Sequence, residues 1–286
     1  MTASVGELLR AARQRLDGHS PSADLDARVL MAHCLGKPTS FLFTWPEHIP
    51  RDSEARQFQE WVARRVAGEP VAYLIGRREF YGHEFLVSPD TLIPRPDTEL
   101  LVDTVLDSLS ADRPQRVADL GTGTGAIAIS LALARPAWQV IAVDTSTAIL
   151  DLVERNRQRL GAGNVQPLQS NWCSQLQGLL DAVVSNPPYI PDDDPHLEEG
   201  DVRFEPRTAL AAGSDGLADI RIIAAQSHER LRAGGLLALE HGYDQGDAVR
   251  QILHGAGFIG IETRRDLAGH DRVTLGRTPP GDTDAQ

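Results

Sequence analysis

Apolar positions in the first seventy residues recur at helical spacing. Val5, Leu8, Leu9, Ala12 and Leu16 fall on one face of an amphipathic helix over 5–16. Ser22 or Asp24 is placed to cap a second helix over 25–35, which Gly36 and Pro38 bring to an end. A third run, 53–67, gathers Phe58, Trp61, Val62 and Val66 on one side and stops at Gly68. These segments predict a small helical bundle. At Tyr73 the character changes: VAYLIG, REFYG and HEFLVS are short β-like pieces separated by glycines, which predicts a hairpin. Pro94 and Pro96 then stiffen the entry to a helix, LLVDTVLDSL, with Asp97 expected as N-cap and Glu99 in the first turn.

From residue 116 strand and helix patterns alternate. RVADL (116–120), QVIAVD (139–144), NVQPLQS (164–170), DAVVSN (181–186) and GLLALEH (235–241) read as strands, with helical pieces such as AIAISLALA and ILDLVERNRQRL between them. Regular alternation predicts an α/β domain with a doubly wound, mostly parallel sheet. GFIGIETRRD and DRVTLGR add a strand pair near the end, and RTPPGDTDAQ reads as a frayed tail. The expected plan is a helical bundle over 1–72, a β-hairpin linker over 73–93, the α/β domain over 94–277 and a tail over 278–286.

Composition narrows the function. Of 286 residues, 41% are hydrophobic and 24% charged, which suits a packed protein and excludes wholesale disorder. The net charge is −12; residues 1–85 carry 11 basic and 11 acidic side chains, so the whole excess falls on the remainder. A non-specific duplex binder carries a basic face, and no basic block is present, so direct nucleic-acid binding is not expected. No run approaches the roughly 18 apolar residues of a membrane span. Glu7, Arg10 and Arg13 interrupt any leader-like apolar stretch, which makes the cytoplasm the expected compartment. Cys34 and Cys173 cannot build a disulfide framework or a metal cluster, and no metal is expected.

Two motifs carry chemistry. The first is Gly121-Thr122-Gly123-Thr124-Gly125, which follows the strand RVADL and opens the apolar helix 126–134. Glycines let the chain turn sharply and let a ligand lie against bare backbone at a helix N-terminus. Asp144 closes the next strand, 19 residues after Gly125, where a carboxylate accepts from ribose hydroxyls. The pair points to an adenosine-containing cofactor. The G-x-G-x-G spacing, with Ala126 next, departs from the dinucleotide pattern and looks like motif I of class I S-adenosylmethionine methyltransferases. No Gly-Lys-Ser/Thr follows, so the turn is not a P-loop.

The second motif is Asn186-Pro187-Pro188-Tyr189, at the end of the fourth strand. Open α/β sheets bind ligands beyond the carboxyl ends of their strands, so both motifs are expected to face one crevice. The prolines fix φ and remove two donors, leaving carbonyl acceptors, and Asn186 offers a side-chain carbonyl. Two rigid acceptors hold both hydrogens of a planar NH₂ and aim its lone pair for in-line attack on a sulfonium methyl. Tyr189 supplies an aromatic face. An adenine amine, a guanine amine and a glutamine amide all satisfy that grip.

Four segments, GRREFYG (76–82), IPRPDTELLV (93–102), DLGTGTGAIAISLA (119–132) and VVSNPPYIP (183–191), together with FEPRTALAAGSDGL (204–217), resemble the HemK/PrmC family of protein-(glutamine-N5) methyltransferases. With the helical N-terminal region they span nearly the whole chain. The resemblance implies a Rossmann-like class I methyltransferase domain, S-adenosylmethionine as methyl donor, and the glutamine of the GGQ motif of class 1 peptide chain release factors as acceptor. It places Gly121, Thr122, Gly123, Thr124, Gly125, Asp144, Trp172 and Asn186 against the donor. It places Asn186, Pro187, Pro188 and Tyr189 around the glutamine amide, with Asn186, Pro187 and Tyr189 as catalytic residues. Trp172 packs on adenine or is a plain core aromatic; Asn171 stands where related sequences often have Asp. Arg95, Asp97 and Glu99 line the crevice mouth or form a capped helix with a surface ion pair. His83, His196 and His241 receive no role, since no base is needed before attack. The rivals are an rRNA or DNA amino methyltransferase using the same grip, a non-catalytic release-factor-binding or cofactor-sensing module, and a nicotinamide oxidoreductase.

Overall fold

The computed structural model describes residues 3–281, which fall into two compact units. The first comprises the chain up to Arg77 together with Glu199–Phe204. It holds five helices: α1 (Val5–Leu16), α2 (Ala23–Leu35), α3 (Thr39–Thr44), α4 (Asp52–Val66) and α5 (Val71–Ile75). Ser4 and Glu7 cap α1 reciprocally, with Ser4 N donating to the Glu7 carboxylate at 2.8 Å and Glu7 N donating to Ser4 Oγ at 3.3 Å. Val5, Leu8, Ala12 and Leu16 then pack with Leu30 and Met31 of α2 and with Phe58 and Val62 of α4. Ser22 precedes α2, but its hydroxyl donates to Asp26 at 2.8 Å instead of capping the backbone.

Two features of this unit differ from the expectation. The six residues of α3 went unread, being too short to display a period. VAYLI, expected as β-like, is helical: Pro70 presets the entry, Gly76 at φ +70° closes the exit, and Leu74 is buried in the bundle core. Arg65 of α4 is also buried, its Nε donating to Asp26 at 2.7 Å and its Nη1 to Asp201 at 2.7 Å. Asp201 belongs to the segment Glu199–Phe204, which follows the Asn-Pro-Pro-Tyr loop in sequence yet clusters with the helical unit.

The second unit comprises Arg78–Glu198 and the chain from Glu205 onward. A hairpin, β1 (Arg77–Phe80) and β2 (His83–Leu86), buries Phe80 and Phe85 in this unit's core. A 3₁₀ turn, Pro96–Thr98, leads into α6 (Glu99–Ser108). The N-cap position is Thr98, not Asp97, because the turn absorbs Asp97 before the α-helix begins. Then follow β3 (Arg116–Leu120), α7 (Ala126–Ala134), β4 (Gln139–Asp144), α8 (Thr147–Leu160), β5 (Val165–Gln169), β6 (Leu180–Ser185), α9 (Ala218–Arg230), β7 (Leu231–Glu240), α10 (Gly246–Gly255), β8 (Ile259–Arg265) and β9 (Asp271–Arg277).

Seven strands form one sheet in the order β5-β4-β3-β6-β7-β9-β8. The first five are mutually parallel, and β9 pairs antiparallel with both β7 and β8. Pro167 is tolerated in β5 because that strand lies at the sheet edge. Seven of the nine residues of α7 are buried, which is why AIAISLALA shows no polar face. Chain order reverses between β3 and β6, which pair in parallel with Leu120 opposite Ser185. Ser185 Oγ reinforces the junction by donating to the Leu120 carbonyl at 2.7 Å.

The expected tail does not begin at residue 278. Thr278 Oγ1 donates to the Arg232 carbonyl at 2.6 Å, and Gly234 N donates to the Pro279 carbonyl at 3.2 Å. Residues 282–286 of that tail lie outside the described residues. Among the described residues no helix is long and apolar enough to cross a membrane.

Asn156 of α8 is fully buried and holds the hairpin to the glycine turn. Its Oδ1 accepts from Leu86 N at 2.8 Å, and its Nδ2 donates to the carbonyls of Leu86 at 3.0 Å and Thr124 at 2.8 Å. Asn156→Ala strands these backbone groups and is expected to cost about 3 kcal/mol. Thermal unfolding should fall by on the order of 10 °C in a chain of this size; an unchanged Tm would refute the bridging role.

Candidate active site

The glycine turn leaves the carboxyl end of β3 with Gly121, Gly123 and Gly125 at φ +69°, +54° and +81°. L residues avoid that region, so the bend needs glycine. A Cβ at Gly121 would come within 3.3 Å of the Trp172 indole, while Gly123 has nothing within 4 Å. Gly125 serves packing instead, since a Cβ there would meet Ile129 at 3.1 Å and Val153 at 3.2 Å.

Two carboxylates brace the turn. Asp119 Oδ2 accepts from Thr122 Oγ1 at 2.6 Å and from Ala128 N at 3.1 Å. Its Oδ1 is buried without a hydrogen-bond partner. Burial pushes the Asp119 carboxyl up to about 7, and the Asp144 charge adds to the rise. Asp144, at the end of β4, accepts from Gly123 N at 3.3 Å and from Ser146 N at 3.2 Å. Burial raises its carboxyl too, against those backbone donors.

Trp172 follows β5 in a left-handed conformation, φ +49°, its carbonyl accepting from Ser170 Oγ at 2.9 Å. Asn186 follows β6, and its Nδ2 donates to Thr98 Oγ1 at 3.1 Å. Pro188 stands with Asn186 on the same wall, whereas Pro187 is buried. Tyr189 is held by its backbone: its N donates to the Leu210 carbonyl at 3.1 Å, and its carbonyl accepts from Gln245 Nε2 at 2.9 Å. Burial raises its phenol above the ordinary value.

One cavity of about 650 Å³ brings the motifs together. Gly121, Thr122, Gly123, Thr124, Asp144, Trp172, Asn186 and Pro188 line it; Gly125, Pro187 and Tyr189 do not. That volume suits a cofactor-sized ligand. The residues fit an adenosyl sulfonium donor: bare backbone at Gly121 and Gly123, an indole beside it, and a ribose-competent carboxylate at Asp144.

Sequence reading missed several wall residues. Phe80 comes from β1, Thr98 from the turn before α6, and Asp219, Ile222 and Gln226 from α9. Phe80 and Thr98 lie in GRREFYG and IPRPDTELLV, where no role was read for them, and the three α9 residues lie in none of the quoted segments; only the fold gathers them. Arg95 is on the wall, ion-paired with buried Glu205, whose other oxygen accepts from Ile93 N at 3.0 Å. Asp97 and Glu99 are off the wall, Asp97 facing Arg272 at 3.5 Å and Glu99 accepting from Tyr81 N at 2.9 Å. Glu240, a carboxylate closing the apolar strand β7, is buried off that wall.

The chain matches the PrmC N-terminal domain family over residues 7–76 and the methyltransferase small domain family over residues 96–198. It is 57% identical to the release factor glutamine methyltransferase of Pseudomonas aeruginosa, covering 90% of this chain and 94% of that protein. It is 48% identical to that of Escherichia coli, covering 94% and 97%. The chain belongs to the release factor glutamine methyltransferase family. A crystal structure of a methyltransferase from Pyrococcus furiosus shares the fold, with a TM-score of 0.53 at 15% identity over 77% of this chain and 99% of that one. The Rossmann-like, mostly parallel α/β architecture of this family member is therefore that of a class I methyltransferase.

The raised Asp119 carboxyl has a pH signature. From its ordinary value of 3.8 up to about 7, the folded chain holds a proton that the unfolded chain has lost. Asp119 therefore favours folding at low pH, and this contribution is lost as pH rises through that window. Asp119→Asn removes the titration. Its Tm relative to wild type should climb between about pH 5 and about pH 8; a constant difference would count against the buried charge.

Proposed function

We propose that the protein transfers a methyl group from S-adenosylmethionine to the side-chain amide nitrogen of the glutamine in the GGQ motif of class 1 release factors. One observation carries this reading beside family membership: the glycine turn and Asn186 line one cavity at the point where strand order reverses.

The donor supplies an electrophilic methyl on a sulfonium centre. Gly121 to Thr124 offer backbone against its charged end, Asp144 accepts from its ribose, and Trp172 packs on its base. Asn186 spends its Nδ2 on Thr98, which leaves Oδ1 to accept from the acceptor amide. A carbonyl of the proline pair takes the second hydrogen, and fixed φ angles hold it in place. With both hydrogens gripped, the nitrogen lone pair is aimed at the methyl, and the positive charge that develops on nitrogen meets acceptor dipoles. The surplus proton leaves to water afterwards, so no histidine is required. Pro187 and Tyr189 act by shaping the loop, their backbone and packing fixing where Asn186 and Pro188 stand.

The helical unit is the release-factor docking element in this reading, because the cavity residues account for the chemistry without it. The cytoplasm is the proposed compartment: Cys34 and Cys173 are both unpaired.

Mass spectrometry of a release factor incubated with enzyme and labelled donor should place the methyl on the GGQ glutamine. Transfer to bare nucleic acid alone would overturn the substrate. Asn186→Ala should lower turnover more than about 100-fold while donor binding stays measurable by calorimetry. Wild-type turnover in that variant would discredit the grip.

A further inference from the structure

The loop that sets Asn186 and Pro188 on the cavity wall is anchored by a residue that lies off that wall. A proline nitrogen carries no hydrogen, so the peptide units 186–187 and 187–188 offer no N–H by which the protein can hold them. The first donors after Asn186 are the N–H groups of Tyr189 and Ile190. Both donate to the Leu210 carbonyl, at 3.1 Å and 2.9 Å. The Tyr189 carbonyl belongs to the same trans peptide as the Ile190 N–H and points the opposite way. Gln245, the N-cap of α10, holds that second end: its Nε2 donates to the Tyr189 carbonyl at 2.9 Å.

Valence settles which way the Gln245 amide faces. Its Oε1 accepts from Gly242 N at 2.8 Å, and a backbone N–H only donates, while the Tyr189 carbonyl only accepts. Nε2 therefore faces Tyr189, and it also reaches the Asp215 carbonyl at 3.4 Å. The side chain is fixed at its root as well, because Gln245 N donates to the Gly242 carbonyl at 3.0 Å and closes the turn between β7 and α10. Gly216 is buried against this junction at φ +69°. A Cβ there would collide with the Tyr189 carbonyl and come within 2.9 Å of Gln245 Nε2, so only glycine lets the turn before α9 close over the bond.

We propose that Gln245 is a positioning residue of the acceptor grip: by tying the Tyr189 carbonyl to the turn after β7, it holds the peptide plane from which the proline pair projects. The inference rests on the methyl-transfer reading and adds the element that keeps its grip in register. Two prolines make the loop stiff yet unable to fasten itself. A stiff segment moves as a unit, so a shift at Tyr189 is carried to Asn186 and Pro188 instead of being absorbed between them. Misplacement by about 1 Å costs on the order of 100-fold in a reaction that depends on alignment.

Two variants separate the ends of the amide. Gln245→Glu keeps the length and the oxygen that accepts from Gly242, but at about pH 8 it faces the Tyr189 carbonyl with a carboxylate. Gln245→Met removes both bonds. Each should lose about 10-fold or more in kcat, with donor affinity by calorimetry within about twofold of wild type. Amide hydrogen exchange at Tyr189 and Ile190, measured without any acceptor present, should quicken in both variants; at Gly242 it should quicken in Gln245→Met alone. Wild-type transfer to a release factor tests the functional reading, whereas the exchange rates test the anchor whatever the acceptor is. Wild-type kcat in Gln245→Glu would reduce Gln245 to a brace of its own turn and overturn the proposal. Unchanged exchange at Tyr189 and Ile190, or a loss that falls on donor affinity instead of kcat, would overturn it too.

Discussion

The parallel pairing of β3 with β6 is the constraint on which the site depends. Leu120 and Ser185 close that ladder together, so the two turns that follow start one strand spacing apart. One turn carries three glycines at positive φ, the other the proline pair after Asn186, and the strand order reverses between them. A helix cannot fill the gap that such a reversal leaves at the carboxyl ends of the strands. The cavity is thus a product of strand order, and its floor is what the strands carry at or just past their carboxyl ends: Asp144 closing β4, Trp172 after β5, Asn186 after β6.

Around this crevice the protein places carboxyls where solvation is poorest. Asp119 and Glu240 are both buried, and each has an oxygen without a partner. Such groups are expensive to ionise and persist where their acceptor-only character does something. Asp119 gathers Thr122 and the first turn of α7, fixing the loop against which a ligand rests. Glu240 closes β7 next to Leu239, the register partner of Ser185. Both lie in the acidic part of a chain whose first 85 residues are electrically balanced.

Much of this architecture was legible locally. RVADL, QVIAVD and AIAISLALA match their elements residue for residue, because long apolar runs bounded by turns leave few alternatives. The glycine turn and Asn186 were readable because their chemistry needs special backbone or a special amide. VAYLI was misread because five residues cannot display a period, and burial of Leu74 decided the matter from outside the segment. Asp97 lost the cap to a turn of 3₁₀ geometry, which carries no distinct pattern. The four letters of the second motif suggested a continuous grip, yet Asn186 and Pro188 line the cavity while Pro187 and Tyr189 do not. Thr98 meets Asn186, 88 positions further along, only once the intervening chain has folded, and no window of sequence holds them together.

The short stretch Glu199–Phe204 gives the molecule an interlaced covalent plan. Its Asp201 answers the buried guanidinium of Arg65, so six residues contributed by the later half of the chain complete the earlier half. A fragment ending at Arg77 would keep every helix of its bundle yet bury a cation with Asp26 as its sole remaining carboxylate. A single cut at the hairpin therefore leaves the helical unit without the carboxylate that answers its buried guanidinium.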